Sequence, residues 1–253
     1  MIKVVCSICG SSNMVKSNDL ITCRDCGMSF GMNELPNLIK EVDTNTVKPV
    51  NQPDDEIKNL YLLARRAAQQ NNDELALKYY EQIAMKCPFD WESNYLQVYH
   101  RAKRCKISDI GEMNTRLAGA IQTAVDLIET RLTNENEILN ACNVIIYTAD
   151  DIATIGFESA YDWWDGTTFV KNSFVQDMIN YTYPCVLALY KAGDALSAKL
   201  LQRFPQLKQP IINLWLKGIN YHKTILRNLA EKDYHRNMIE SYENKVNYFS
   251  NIR

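Results

Sequence analysis

The sequence is short of glycine, proline and histidine. Its nine glycines among 253 residues are scattered singly, so no glycine-rich loop is present to cradle a phosphate. The three histidines, His100, His222 and His235, fall in separate segments. None has an acid or nucleophile at a spacing that reads as a catalytic constellation, and all three are expected to be ordinary surface or partly buried residues. No charge of one sign dominates: 28 lysines and arginines face 30 acidic residues, for a net charge of -2. A protein that holds nucleic acid or an anionic membrane through its overall field needs a basic excess. Long apolar runs are missing as well. "YPCVLALY" (183–190) and "NVIIYTA" (143–149) are far shorter than the roughly 20 residues a bilayer-spanning helix requires. The start, "MIKVVCSICG", lacks the apolar region of a signal peptide. A soluble, cytoplasmic protein is expected.

Cysteine is present in a pattern. Of eight cysteines, Cys87, Cys105, Cys142 and Cys185 are isolated and are expected to be buried thiols. The other four form two Cys-x-x-Cys pairs, "CSICG" and "CRDCG", with 13 residues between Cys9 and Cys23. Four thiolates suit zinc, which accepts a sulfur tetrahedron without a d-electron preference. A redox centre would show a single pair beside a βαβ pattern, and a disulfide staple would call for secretion. Cys6, Cys9, Cys23 and Cys26 are therefore the candidate ligands of one structural Zn2+. Four thiolates leave no open coordination position for catalysis. Between the pairs, "NMVKSNDLIT" reads as a hairpin with Ser17-Asn18-Asp19 as turn material, and "GMSF" as a short final strand.

Residues 1 to about 32 resemble the zinc ribbons of transcription factors and of many small bacterial proteins. The resemblance implies the fold and the metal. It leaves the role open, since ribbons bind nucleic acid, dock proteins or merely cap. Lys3, Lys16 and Arg24 balance Asp19, Asp25 and Glu34, and a zinc with four thiolates adds about two negative charges, so the ribbon has no basic excess for phosphates. The ribbon is assigned to residues 1–34 and a linker to 35–55, which holds three of the seven prolines.

From residue 56 to the end the pattern is helical, and the fold class expected is mainly α. Asp54 or Asp55 is placed to cap the first helix. Leu60, Leu63, Ala64 and Ala67 form an i, i+3, i+4, i+7 stripe; "QNND" (70–73) breaks it; Ala76, Tyr80 and Ile83 form a second stripe, ended by Pro88. This 34-residue segment, 57–90, resembles a tetratricopeptide repeat, with Ala67 in place of the usual aromatic and Ile83 where a small residue is typical. Beyond it the helices are generic. Ser108 or Asp109 can cap one running to about 132. Another carries Ile138, Ala141, Cys142, Ile145, Ala149 and Ile152 on one face. A third is kinked at Pro184, and segments 194–203, 206–230 and 233–249 complete the set. A helical-hairpin solenoid or an irregular bundle is expected after the β ribbon. The whole arrangement, ribbon, proline-bearing linker and "LARRAAQQNNDELALKYYEQIAMKCPFDWES", resembles a group of bacterial zinc-ribbon proteins with one tetratricopeptide-like unit. That likeness brings no activity with it.

The functional reading is a non-enzymatic zinc-binding adaptor that holds a protein or peptide through its helical domain. The resemblance to tetratricopeptide repeats implies a groove face at Lys58, Tyr61, Arg65 and Gln69, opposite the first stripe. The alternative is a nucleic-acid-associated or transcription-related zinc-ribbon protein, for which "RAKRCK" (101–106) is the best local case. Cations near a helix C-terminus are also favoured by its dipole. "ESAYDWWDG" (158–166) puts Glu158, Asp162 and Asp165 beside two tryptophans and reads as a helix end with packing aromatics.

Elemental analysis of the purified protein is expected to find one zinc per chain, lost in Cys9→Ser. About 30 residues have too little core to fold without it. A metal-free sample with an ordered ribbon contradicts the assignment.

Overall fold

The first unit of the chain, Met1–Arg65, is built on short strands. The computed structural model describes residues 2–4, 13–17, 20–24, 29–31, 39–41, 53–166, 173–228 and 232–251. β2 (Met14–Ser17) and β3 (Leu20–Cys23) form the hairpin expected from the sequence. Their antiparallel register runs from Met14↔Cys23 to Ser17↔Leu20. Asn18 and Asp19, read from the sequence as turn material, lie outside the described residues. β4 (Ser29–Gly31) joins β3 antiparallel, and Ile21, opposite Phe30, is buried. A second ladder pairs β1 (Ile2–Val4) with β5 (Ile39–Glu41), from Ile2↔Glu41 to Val4↔Ile39. β5 falls inside the segment read as a linker. A three-residue strand is too short to show alternation, and its partner is more than 30 residues away in the sequence, so no local pattern announces it.

Helix α1 (Pro53–Gln69) opens on a proline, whose fixed φ and missing N–H suit a first helical position. It begins earlier than the sequence suggests, so Asp55 lies in the first turn instead of capping it. Leu60, Ala64 and Ala67 are buried, as expected, but Leu63 is 39% exposed. At 100° per residue Leu63 sits about 60° from Leu60 on the helical wheel, at the edge of the seam that Ala64 and Ala67 centre.

The second unit, Arg66–Arg253, is helical. Two asparagines punctuate its first turn. Asn71 has a φ of 55°, a left-handed conformation asparagine tolerates better than most residues. It lets the N–H of Asn72 reach the Ala67 carbonyl at 2.9 Å and the Asn71 N–H reach Ala68 at 3.0 Å, the Schellman pattern of a helix end. The Asn72 side chain then accepts from the Leu75 N–H at 3.1 Å and caps α2 (Asp73–Lys86). Ala76, Tyr80 and Ile83 are buried along α2 as its stripe predicts. There follow α3 (Trp91–Lys103), capped by Asp90, and α4 (Ile110–Arg131). Asp109 sits at the cap position of α4 but its side chain makes no capping bond; it accepts the Ser108 hydroxyl at 3.0 Å instead. α5 (Glu135–Asp165) is capped by Asn134, and its six predicted face residues are all buried. By length and composition α5 is, among the described residues, the one helix apolar enough to cross a membrane, and 44% of that window is buried inside the unit. α6 (Val175–Lys199), α7 (Lys208–Asn228) and α8 (Lys232–Asn251) complete the described helices. The expected separate helix at 194–203 is absent: α6 runs unbroken through Pro184 to Lys199.

The helices pack in sequence order. Each of α2 to α7 packs on the helix that follows it, and next-but-one contacts join α3 with α5, α4 with α6 and α5 with α7. α6 is the best-buried member. Because Pro184 has no N–H, the Asn180 carbonyl lacks its helical donor; α4 approaches there through Gly111, where a Cβ would lie 3.0 Å from that oxygen. Between α6 and α7 the fit is reciprocal. The Trp215 ring covers Gly193, and the Tyr190 ring covers Gly218; a Cβ would lie 2.3 Å from Trp215 Nε1 at the first and 2.5 Å from the Tyr190 ring at the second.

Gly193→Ala therefore forces Trp215, buried in the core, out of place. Overpacking of this kind costs about 1–3 kcal/mol, so the melting temperature is expected to fall by several degrees. Gly119→Ala is the opposite case: no atom lies within 4 Å of its Cβ position, and helix propensity predicts a gain of up to about 1 kcal/mol. A thermal melt of the two variants checks both signs.

Candidate functional site

Of the four candidate zinc ligands, Cys23 closes β3, and Cys6, Cys9 and Cys26 lie outside the described residues. The hairpin returns the chain as a ribbon needs: Cys23 stands opposite Met14, five residues after Cys9, and the Arg24 N–H bonds the Asn13 carbonyl at 2.9 Å.

The predicted partner face lies along α1. Lys58, Arg65 and Gln69 are exposed and Tyr61 is half-buried. The Arg65 guanidinium lies 5.0 Å from the centre of the Tyr61 ring, a cation–π contact, and Lys58 is 3.7 Å from Asp55.

"RAKRCK" is mostly neutralised by its surroundings. Arg101 pairs with Glu81, Arg104 with Glu74 at 2.9 Å, and Lys103 lies 3.7 Å from Asp73 and 3.9 Å from Asp151. The same stretch shows what the sequence concealed about His100. Its Nδ1 is 2.7 Å from Asp73 Oδ1, 27 residues away, because antiparallel packing brings the end of α3 to the start of α2. Burial lowers the His100 pKa, against the pull of Asp73. Tyr99 donates to Asp151 at 2.6 Å, and Tyr95 shares a 2.8 Å bond with Thr148. Burial, helped by Asp151, raises the Tyr99 phenol. These bonds tie α2, α3 and α5 together in a part-buried polar cluster.

In "ESAYDWWDG", Glu158, Asp162 and Asp165 are exposed. Trp164 is buried in a cluster with Ile110, Phe157 and Met178, and the Trp163 ring packs near Phe174 and Tyr181. The aromatics serve packing, as expected.

A groove that the sequence did not announce lies between α5 and α7. The helices run parallel here: Lys217 donates to Asp150 at 2.6 Å and also to Thr154, and one turn on the Phe157 and Tyr221 rings stack at 4.0 Å. Before that closure the helices part around a space of about 470 Å³. α5 contributes Asn143, Ile146, Tyr147 and Asp150, one helical face at i, i+3, i+4, i+7. α7 contributes Pro210, Asn213, Leu214 and Lys217 at the same spacing. Tyr147 is 67% exposed. Both tetrads are visible in the sequence; that α5 lies beside α7, with α6 between them in the chain, is not.

His222 and His235 face each other in the core between α7 and α8, Nδ1 to Nδ1 at 2.8 Å. One Nδ1 must carry the proton and the other accept it. His222 is fully buried and its Nε2 has no partner among the described residues. Burial, with a smaller push from His235, lowers its pKa to about 3. Compared with protein-family models, with curated proteins and with solved structures, the chain finds no match.

The lowered His222 pKa sets a pH dependence. Above about pH 6.5 the imidazole is neutral whether the chain is folded or not. As pH falls from 6.5 toward 3, only the unfolded chain takes up the proton, so stability falls by up to about 1.4 kcal/mol per pH unit for this residue. His100, shifted in the same direction, adds to the slope. Melting temperatures between pH 7 and 4.5 should decline less steeply in His222→Gln than in the wild type, and parallel curves would contradict the assignment.

Proposed function

We propose that the protein is a non-enzymatic zinc-binding adaptor of the cytoplasm. One structural Zn2+ on Cys6, Cys9, Cys23 and Cys26 holds the N-terminal segment, and the helical unit holds a peptide segment of a partner protein. The observation that carries the second part is the groove between α5 and α7, bridged by the Asp150–Lys217 pair. Among the described residues, the main helix contacts join neighbouring and next-but-one helices, which fits a tetratricopeptide-like solenoid, in which each hairpin buries its apolar face on the next. The register that sets Cys23 across from Met14 supports the metal half.

This reading moves the partner surface from the Lys58, Tyr61, Arg65 and Gln69 face of α1 to α5 and α7. The nucleic-acid alternative loses support because Arg101, Lys103 and Arg104 are within reach of carboxylates. A phosphate backbone would have to displace those carboxylates to gain the cations.

Wild type and Tyr147→Ala, immobilised and exposed to native lysate at high salt, test the reading. Tyr147 is exposed, so the variant should melt like the wild type. Specific proteins held by the wild type and lost by the variant are expected. Salt-sensitive retention of labelled DNA or RNA, with no protein lost, would favour the alternative.

A further inference from the structure

From the chemistry of the α5–α7 groove we infer that its occupant is an extended, uncharged peptide segment carrying an apolar side chain. This inference rests on the adaptor reading and narrows it. The groove's length sets the size of the segment. Asn143 to Asp150 and Pro210 to Lys217 are each seven helical steps, about 10 Å at 1.5 Å per residue. That span matches about three residues of extended chain at roughly 3.3 Å each.

Charge sets its polarity. The two ionisable members that could select a charged ligand, Asp150 and Lys217, are bonded to each other at 2.6 Å, and Lys217 also bonds Thr154. A carboxylate entering the groove would have to take Lys217 from Asp150 and leave that acid without its cation. A lysine would face the reverse exchange. Neither gains a net partner, and each loses hydration on entering.

The remaining wall is apolar and amide. Pro210 and Leu214 of α7 face Ile146 and the exposed Tyr147 ring of α5, a contact for one apolar side chain. Tyr147 offers a large rigid surface with little rotamer entropy to lose. Asn143 and Asn213 offer carboxamides from opposite walls. Asn143 is exposed and has no side-chain partner among the described residues. Asn213 accepts from Gln209 at 2.9 Å through its oxygen and keeps its amide hydrogens. A carboxamide both donates and accepts, which is what the N–H and C=O of an extended backbone require. The main chain is therefore read by the two amides and the side chain by the ring and the aliphatics.

The test is selection from a randomised nonapeptide library on the full-length protein, in low and in high salt, with Tyr147→Glu and Tyr147→Phe alongside. The expected survivors are uncharged and carry an aliphatic or aromatic residue, and they are recovered equally at both salt levels. Tyr147→Glu should cut their recovery about tenfold or more at an unchanged melting temperature, and Tyr147→Phe should keep it. Survivors rich in lysine or glutamate and lost in high salt overturn the inference but leave a peptide-holding adaptor standing. Uncharged survivors indifferent to Tyr147→Glu overturn the site. No enrichment from any class overturns the adaptor reading itself.

Discussion

The position of α7 is decided by two rings that need two glycines. Trp215 on α7 lies over Gly193 on α6, and Tyr190 on α6 lies over Gly218 on α7. Glycine and ring are three residues apart in each helix, so the helices clasp antiparallel, each filling the notch the other leaves. The clasp brings α7 close to α6, and α6 already packs on α5. α5 and α7 thereby become neighbours although a 25-residue helix separates them in the chain. The Lys217–Asp150 bond and the Phe157–Tyr221 stack then fix how far they close, and the groove is the part left open.

The same clasp seats the last helix. Tyr242 of α8 stacks on Tyr190 with ring centres 3.5 Å apart and donates to Asp194 of α6 at 2.8 Å. Lys245 reaches the same carboxylate at 2.9 Å and lies over the Tyr242 ring at 4.4 Å. Next to this stack sits the buried His222–His235 pair, His222 in ring contact with Tyr190 and His235 with Tyr234. At the other end of the unit, Tyr95, Tyr99 and His100 on one helix reach Thr148, Asp151 and Asp73 on two others. A buried hydroxyl or imidazole needs a partner, so these bonds select one rotation of α3 against its neighbours.

Much of the local structure was legible. Periodicity placed the buried faces of α2 and α5 residue by residue, and Pro88 and "QNND" marked real ends. The β2–β3 hairpin followed from strand-like residues around a turn. What stayed hidden depends on long-range pairing. β5 is too short to show a period. His100 looked isolated because its acid is in another helix. Leu63 matched the stripe by spacing and missed it by angle. The segment 194–203 was expected to be a separate helix, yet α6 continues to Lys199. The groove's two tetrads are ordinary amphipathic spacings until the glycine clasp sets them side by side, and nothing in one sequence says which glycines will lie under rings.

The central claim is that the space between α5 and α7 is where this protein holds a partner. Amide chemical-shift mapping on addition of a peptide recovered by selection tests it most directly. The account predicts shifts concentrated on Asn143–Asp150 and on residues 211–217, with Lys58–Gln69 of α1 unmoved. Shifts centred on α1 or on the strands of the first unit, with the groove silent, would contradict it.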